Sequence, residues 1–394
     1  MTRDLRLVGL SLFIWGMGEG MFFYFQPLYI QQLGADPVQI GTILGAAGLA
    51  MALAHMPAGA LADILGRKTM MTVSWVVGML SAWVMFLAGG LAFFVVGLLI
   101  YSLTAFVMSP MASYVTEARG DWPVARALTT TSAFFNLGVA LGPLIGGAIA
   151  ERLGLREGYR VAAVLFVPST ALILFIRRQP PEPHDGDSRY RSLLRRKEFL
   201  AFLVLAFAVM FGLYLSWPLT PNYLHGVRHL SVGQIGILGS VNALGVVALN
   251  LILGRTNPRL GYLISQAGIG LSVALLWLAT GVPLLALGYF LAGGMRTARY
   301  MVTAHVDTLV RRTEMGLAYG MAETAQAGAL AVAPVLAGVL YQINPALPYP
   351  LALGLIALMW IITNRLAPGR QPEITPTPTR TPPSGPQPIQ EELP

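Results

Sequence analysis

Two ionisable side chains lie near the middle of long apolar runs of this sequence. Glu19 lies within the run 7–33, and Arg296 lies within the run 283–309. A helix of about 20 apolar residues is long enough to cross the hydrocarbon core of a bilayer. A charge at that depth is energetically unfavourable, so such residues are candidates for binding a proton, an ion or a charged solute. Glu19 is therefore a candidate proton carrier, and Arg296 is a candidate opposing charge across a cavity.

Helical spacing gives Glu19 a set of neighbours. Trp15, Phe22 and Gln26 fall on the same face of a continuous helix, which predicts an aromatic wall around the carboxylate. Partly desolvated in this way, the carboxyl group could take up and release a proton at working pH. The alternative is a structural role, in which Glu19 only neutralises an arginine such as Arg296.

Further ionisable residues lie in other apolar runs. Arg299 and Tyr300 follow Arg296 on its side of the helix. Glu323 lies nearer the end of its run and is predicted either to join the cavity or to pair with a loop arginine. His55 could shuttle protons, but a hydrogen-bonded packing role is favoured for it.

Other kinds of site chemistry find little support. The chain has no cysteine, five scattered histidines and no H-E-x-x-H sequence, so we expect no metal, no cofactor and no enzyme activity. A nucleotide-binding cassette is also absent, so an ion gradient would have to drive any active transport. The net charge of +8 does not indicate nucleic-acid binding, because the basic residues fall in the connections between apolar runs.

The composition indicates a membrane protein. Of 394 residues, 55% are hydrophobic and 11% are charged, whereas soluble domains average about 25% charged. We predict an all-α protein with twelve spanning helices. The runs are 7–33, 38–61, 69–89, 91–115, 125–150, 159–176, 199–224, 231–254, 260–280, 283–309, 316–342 and 347–364.

The distribution of lysine and arginine predicts the orientation of these helices. Placing the N-terminus in the cytoplasm puts 20 of these residues on the cytoplasmic side and 4 on the opposite side. Connections rich in Lys and Arg stay inside. We therefore predict that both termini are cytoplasmic, in the plasma membrane or inner membrane.

Two polar segments divide the chain into four parts. Residues 177–198 are too polar to span and predict a cytoplasmic linker between an N-terminal half, 1–176, and a C-terminal half, 199–366. Residues 367–394 are rich in Pro, Thr and Gln without apolar periodicity, which predicts a disordered cytoplasmic tail.

The two halves resemble each other in sequence. Residues 141–149 align with 332–340, and residues 38–45 align with 232–239. These matches place the fifth run opposite the eleventh and the second opposite the eighth. Six-helix repeats of this kind are typical of transporters, with a substrate site at the bilayer midplane between the repeats.

A short motif lies between the second and third runs. Gly59, Asp63 and Gly66 precede the basic pair Arg67 and Lys68. This order predicts a helix end, a glycine turn and cations at the cytoplasmic interface. Taken alone, it could be an ordinary charged turn.

The spacing of this motif closely resembles the G-x-L-a-D-r-x-G-r-r/k signature of the major facilitator superfamily. Ile64 replaces the usual arginine after Asp63. The resemblance implies that Asp63 and Arg67 take part in a latch that holds the halves together on the inner side. The equivalent loop of the second half, residues 254–259, keeps basic residues but lacks the acid.

The fifth run carries a second motif. Gly138, Gly142 and Gly146 lie on one helical face, and Pro143 and Gly147 follow them closely. Glycines at this spacing let another helix approach, and proline bends the helix. The pattern also resembles the G-x-x-x-G-P-x-x-G-G element of the antiporter branches of the superfamily, which favours export over import.

The resemblance covers residues 1–366 and implies alternating access, with helices one, four, seven and ten around a central cavity. Glu19 resembles the membrane-embedded acid in helix one of some multidrug exporters. The leading hypothesis is a monomeric, proton-coupled exporter of small amphipathic or drug-like molecules. Proton-coupled uptake of a nutrient or sugar is the alternative, and a membrane sensor without transport is a remote one.

Overall fold

The computed structural model describes residues 1–179, 196–306 and 315–366, and it is helical throughout these ranges except for short connections. The helices in chain order are α1 (Arg3–Phe23), α2 (Gln26–Gln32), α3 (Pro37–Leu65), α4 (Arg67–Leu87), α5 (Leu91–Leu103), α6 (Met108–Glu117), α7 (Val124–Leu153), α8 (Leu155–Leu174), α9 (Lys197–Leu215), α10 (Thr220–Gly226), α11 (Val232–Leu253), α12 (Pro258–Leu278), α13 (Val282–Ala292), α14 (Gly294–Val306), α15 (Met315–Ile343) and α16 (Pro348–Leu366). A short 3-10 turn, Thr104–Val107, joins α5 to α6.

Ten helical stretches in the described ranges are long and apolar enough to cross a membrane. The other two predicted runs are also helical: 283–309 begins with α13 and α14, and 347–364 lies in α16 except for its first residue. The predicted all-helical membrane fold is therefore confirmed. The count of twelve crossings and their orientation stay predictions.

The outer surface of the helices fits a lipid environment. Large apolar side chains are exposed on many helices, among them Phe93 at 71%, Val204 at 68% and Leu251 at 63%. A soluble protein rarely exposes so many large apolar side chains over its surface. Hydrocarbon around the helices removes this cost, as expected for a spanning bundle.

The prediction of one continuous helix over 7–33 is wrong. The helix α1 ends at Phe23, and α2 begins at Gln26 with Pro27 in its first turn. Proline suits the first turn of a helix because it lacks the backbone donor that would be unsatisfied there. The same break separates α9 from α10, where Pro221 occupies the first turn. The break is thus a shared feature of the two sequence-related parts of the chain.

Two large helix contacts bring the two parts of the chain together. Within the first part, α1 packs against α7 and α8, and within the second part, α9 packs against α15. Across the two parts, α3 packs against α15 and α7 packs against α11. Sequence alignment relates α3 to α11 and α7 to α15, so these two contacts are related to each other by the repeat.

Candidate functional site

Glu19 lies in α1, and its carboxylate is half-buried beside two polar aromatic side chains. The Trp15 indole, one turn earlier, and the Tyr101 phenol of α5 are the polar groups close enough to donate hydrogen bonds to it. The Trp15 ring stacks on Phe166 with a centroid distance of 3.9 Å and lies 5.4 Å from the ring of Trp75. These packed rings hold the indole and the phenol in fixed positions. The carboxylate therefore has two oriented donors rather than flexible ones.

The predicted aromatic stripe on the first helix is only partly correct. Trp15 does lie beside the carboxylate. Phe22 is 1% exposed and packs against Tyr159, with ring centroids 5.0 Å apart, and edge-on against Tyr101, with ring centroids 5.6 Å apart. Phe22 therefore supports the phenol next to Glu19 from behind. The placement of Gln26 on the same helix is wrong, because the break after Phe23 assigns Gln26 to α2.

Arg296 lies in α14 and faces the first part of the chain. Its Nη1 donates a hydrogen bond to Oδ1 of Asn136 in α7, at 3.3 Å. The guanidinium is exposed and also acts electrostatically on Glu19 and Tyr24. Within the described ranges, no ion pair of 4.0 Å or less joins Glu19 to Arg296. The two charges thus face each other without closing into a direct contact.

Arg299 and Glu323 form a separate ion pair between α14 and α15. The Arg299 Nε donates to Glu323 Oε2 at 3.0 Å, and Nη2 contacts the same oxygen. His55 of α3 lies within electrostatic range of both residues. The predicted pairing of Glu323 with a loop arginine is wrong, because its partner Arg299 lies on α14. A role of Glu323 in the cavity stays a prediction. The side chain of Tyr300 lies outside the described part.

A hydrogen-bonded chain that the sequence did not predict joins α1 to the second part of the molecule. The Tyr24 hydroxyl donates to Oδ1 of Asn242 in α11 at 2.7 Å. Asn242 Nδ2 in turn donates to the carbonyl oxygen of Tyr289 in α13, at 2.8 Å. This chain lies at the end of α1 and connects the same two parts as the helix contacts.

The backbone of the motif between the second and third predicted runs is as expected. The helix α3 ends at Leu65, Gly66 has a φ of 84°, and α4 begins at Arg67. Positive φ favours glycine, so this turn explains the requirement for Gly66. The side chain of Asp63, like position 59, lies among helical residues whose side chains are outside the described part.

The basic pair of this motif contacts the end of α8. Lys68 Nζ donates to the carbonyl oxygen of Leu174 at 3.0 Å, and Arg67 Nη1 donates to Oε1 of Gln179 at 3.4 Å. Arg259, at the start of α12, likewise contacts the carbonyl oxygen of Asn364 near the end of α16. The contact is therefore repeated in the second part, with an arginine in place of the lysine.

The glycine face of α7 packs directly on the backbone of α1. A side chain at Gly138 would meet Phe13, at Gly142 it would meet Met17, and at Gly146 it would meet Met21. The predicted close approach of a second helix is therefore confirmed. This contact positions α1, and with it Glu19, against α7.

Two other members of this motif face a different helix. A side chain at Gly147 would meet Gly236 and Val232 of α11, and Pro143 lies beside Gly239 of the same helix. The motif thus uses one face of α7 for packing within the first part of the chain and another face for contact with the second part.

Sequence reasoning missed Tyr101 and Asn136, which complete the surroundings of Glu19 and Arg296. Both are polar residues inside predicted apolar runs, at 91–115 and 125–150. That position was a usable signal, because polar groups within spanning helices face protein or a cavity. Their pairing with Glu19 and Arg296 depends on tertiary contacts that helical periodicity alone does not give.

The sequence matches the family model of the Major Facilitator Superfamily over residues 8–231 and 202–391. The chain belongs to this superfamily. Its family and relatives are transporters rather than enzymes, and the protein is a multi-pass protein of the cell membrane.

Several curated proteins are similar to the chain at low identity. Multidrug resistance protein MdtG of Yersinia enterocolitica is 28% identical over 288 residues, which cover 68% of this chain and 66% of that protein. Multidrug resistance protein 2 of Bacillus subtilis is 22% identical, covering 86% of this chain and 89% of its own length. A putative sugar efflux transporter of Deinococcus radiodurans is 27% identical and covers 70% and 75%. The resemblance to the drug/proton antiporter branch is thus supported.

The fold is also similar to solved structures. The nucleoside transporter NupG has a TM-score of 0.76 with 14% sequence identity, covering 92% of this chain and 98% of that one. A bacterial homolog of the human lysosomal transporter Spinster, in an inward-facing and occupied conformation, has a TM-score of 0.67 at 14% identity, covering 92% and 96%. At these identities the likeness concerns the fold alone.

Proposed function

We propose that this protein is a proton-coupled secondary transporter that exports small amphipathic or drug-like molecules by alternating access. Glu19 carries the proton, and the substrate binds between residues 1–176 and residues 199–366. The observation that carries this proposal is the position of Glu19. It lies on α1 between two fixed hydrogen-bonding partners and faces the Arg296 charge from the other half. A carboxyl group in that position changes its charge when the cavity changes its access to water.

The contacts between the halves support one state of the transport cycle. Asn222 of α10 donates to the carbonyl oxygen of Pro27 at 3.2 Å and to Oε1 of Gln31 at 2.7 Å. These contacts lie at the end of the first predicted crossing. With twelve crossings and both termini in the cytoplasm, that end is on the outer side. The structure then corresponds to the state that is closed to the outside.

The named relatives support export more than uptake. Multidrug resistance proteins and a putative sugar efflux transporter are among the similar curated proteins. The glycine and proline motif of α7 favours the same direction. A basic residue such as Arg296 is not expected in a cavity that selects cations alone. For this reason nutrient or sugar symport is the second candidate function.

Transport by the purified protein in sealed vesicles tests the proposal. The vesicles carry an imposed pH gradient of either sign, and a panel of labelled amphipathic molecules is offered from one side. We expect substrate to move against the proton gradient, and a protonophore to abolish this movement. Movement in the direction of the protons would establish symport. A rate of substrate flux that is the same for both signs of the pH gradient would contradict proton coupling.

A further inference from the structure

Within the described ranges, Glu19 and Arg296 have different neutral polar neighbours and form no ion pair with each other. Trp15 and Tyr101 bind the carboxylate from within the first half. Asn136, also in the first half, accepts from the guanidinium of the second half. Each charge is therefore oriented by a neutral group rather than by an opposite charge. Arg296 acts electrostatically on Glu19, and both charges act on Tyr24. We refer to the region between these two charged side chains as the space between Glu19 and Arg296.

The guanidinium of Arg296 has most of its donors available. It carries five N–H groups in a planar fork, and one described contact at Nη1 uses one of them. A planar fork of donors matches a carboxylate, which can accept two parallel hydrogen bonds. The exposed guanidinium therefore suits the anionic end of a bound molecule.

The carboxylate of Glu19 also keeps acceptor capacity. Two carboxylate oxygens offer about four lone-pair sites, and two neighbours take part in hydrogen bonds to them. The remaining sites and the negative charge suit an ammonium group. A ligand with one positive and one negative group would satisfy both ends of this space.

The nearby residues Arg299 and Glu323 differ from Arg296 and Glu19, because their charges pair with each other. One turn beyond Arg296 on α14, Arg299 contacts Glu323 of the adjacent helix directly. Both members of that pair have a charged partner within the protein. Arg296 and Glu19 have no such partner in the described part, so their charges are available to a ligand.

We propose that the space between Glu19 and Arg296 binds a small amphipathic zwitterion, whose carboxylate contacts Arg296 and whose ammonium contacts Glu19. A purely cationic ligand would be attracted by Glu19 but repelled by Arg296. A purely anionic ligand would be attracted by Arg296 but repelled by Glu19. When the ammonium binds, Glu19 becomes a carboxylate and its proton passes to solvent. Substrate and proton thus exclude each other at Glu19, as exchange transport requires. The inference specifies the substrate of the proposed function and rests on it.

Binding of matched compounds tests the inference. Each scaffold is offered in four forms: a free amino acid or dipeptide, its C-terminal amide, its N-acetyl derivative, and the neutral N-acetyl amide. Scaffolds with aromatic and aliphatic side chains cover the amphipathic range. Affinity is measured by thermal stabilisation of the full-length purified protein, because a ligand that binds the folded state raises its stability. We expect the zwitterion to bind at least about tenfold more tightly than any of the three blocked forms.

Variants of Arg296 and Glu19 test which residue binds the carboxylate of the ligand and which binds its ammonium group. Arg296→Gln should weaken binding of the zwitterion about tenfold or more and remove its affinity advantage over the C-terminal amide. Arg296→Lys keeps the charge but not the planar fork of donors, so it should recover part of that affinity. Glu19→Gln should remove the advantage over the N-acetyl form. Arg160→Gln is the control, since Arg160 is exposed and its ion pair in the described part of the chain is a local one with Glu157. Its zwitterion affinity should equal that of the wild type.

Two outcomes would overturn the inference while leaving proton-coupled transport intact. One is equal or tighter binding of a blocked form, and the other is the absence of binding by every zwitterion in the panel, when gradient-driven transport of other molecules is still measured. Zwitterion binding that depends on Arg296 but drives no proton movement would instead contradict the proposed function. The two proposals therefore fail in distinguishable ways.

Discussion

Gly41 of α3 packs on the backbone of Pro334 in α15, so closely that a side chain at Gly41 would overlap the Pro334 carbonyl oxygen. Gly236 of α11 stands in the same relation to the carbonyl oxygen of Pro143 in α7. Both contacts join the first and second parts of the chain, and each pairs the glycine-rich start of one helix with a proline inside another. These two contacts, which we call the seams, are therefore built in the same way, as the predicted internal repeat would require.

Enlarging either glycine should weaken the closed arrangement of the halves. Gly41→Leu and Gly236→Leu each place a branched side chain where backbone atoms now lie, and such overpacking typically costs about 1–3 kcal/mol. The opposite-facing state, in which these seams separate, should gain population. Because the chain contains no cysteine, Asn222→Cys supplies a single reporter thiol at the closed side. Its labelling by an impermeant maleimide should increase in both leucine variants.

A control for this experiment is Gly354→Leu, because Gly354 is exposed and a Cβ atom there would have no neighbouring atom within 4 Å. Combined with Asn222→Cys, this control should be labelled by the maleimide to the same extent as the protein carrying only Asn222→Cys. Unchanged labelling in Gly41→Leu and Gly236→Leu would show that the seams do not separate during the cycle.

The contact between α7 and α1 should be sensitive to size for a different reason. Gly142→Leu forces a side chain against Met17 and Gly20 within one half, where no transport state is expected to open the contact. We expect a loss of about 1–3 kcal/mol in the free energy of unfolding, seen as a lower melting temperature and lower yield. Gly354→Leu again serves as the control. A melting temperature equal to that of the wild type would contradict this packing.

The parts of the structure that the sequence predicted are those governed by local spacing. Gly138, Gly142 and Gly146 predicted a close helix contact, because four-residue spacing alone places them on one face. Long apolar runs likewise predicted the helices. The break before Gln26 was not predicted, because hydropathy is continuous through it and Pro27 is tolerated in spanning helices.

The composition of the site was predicted less completely. Glu19 and Arg296 stand out because charge is rare in apolar runs, but periodicity cannot name a partner on another helix. The roles of Tyr101 and Asn136 depend on how α5 and α7 pack, which is a tertiary property. The pairing of Arg299 with Glu323 needed the same information.

The loop between α3 and α4 gives a prediction about gating. Asp63→Asn should reduce transport strongly while leaving insertion and thermal stability near wild-type values, because the substitution keeps the size of the side chain and removes only its charge. The neighbouring Lys68 contact with Leu174 keeps the loop attached to α8 in the variant. Transport by vesicles and the melting temperature of the same preparation are measured together. Normal turnover in Asp63→Asn would show that the motif serves only as a turn that sets topology and has no role in gating.

The final prediction concerns coupling through Glu19. A carboxamide keeps the shape and much of the hydrogen bonding of the carboxyl group but cannot change its charge. Glu19→Gln should therefore abolish accumulation driven by a pH gradient, whereas substrate exchange without a gradient should continue. The direct measurement is the release of protons when substrate is added to the protein in detergent. Wild type should release protons, and Glu19→Gln should release few or none.

A purely structural role for Glu19 makes a different prediction. If the carboxylate only compensated Arg296, its removal would leave an uncompensated charge and destabilise the protein, and Glu19→Gln combined with Arg296→Gln would restore stability. The absence of a direct ion pair and the hydrogen bond from Arg296 to Asn136 favour the carrier role, because Arg296 keeps a polar partner when Glu19 is neutral. Equal proton release from wild type and Glu19→Gln would contradict that role. The search for the carrier would then turn to Glu323 and His55, which lie together near Arg299.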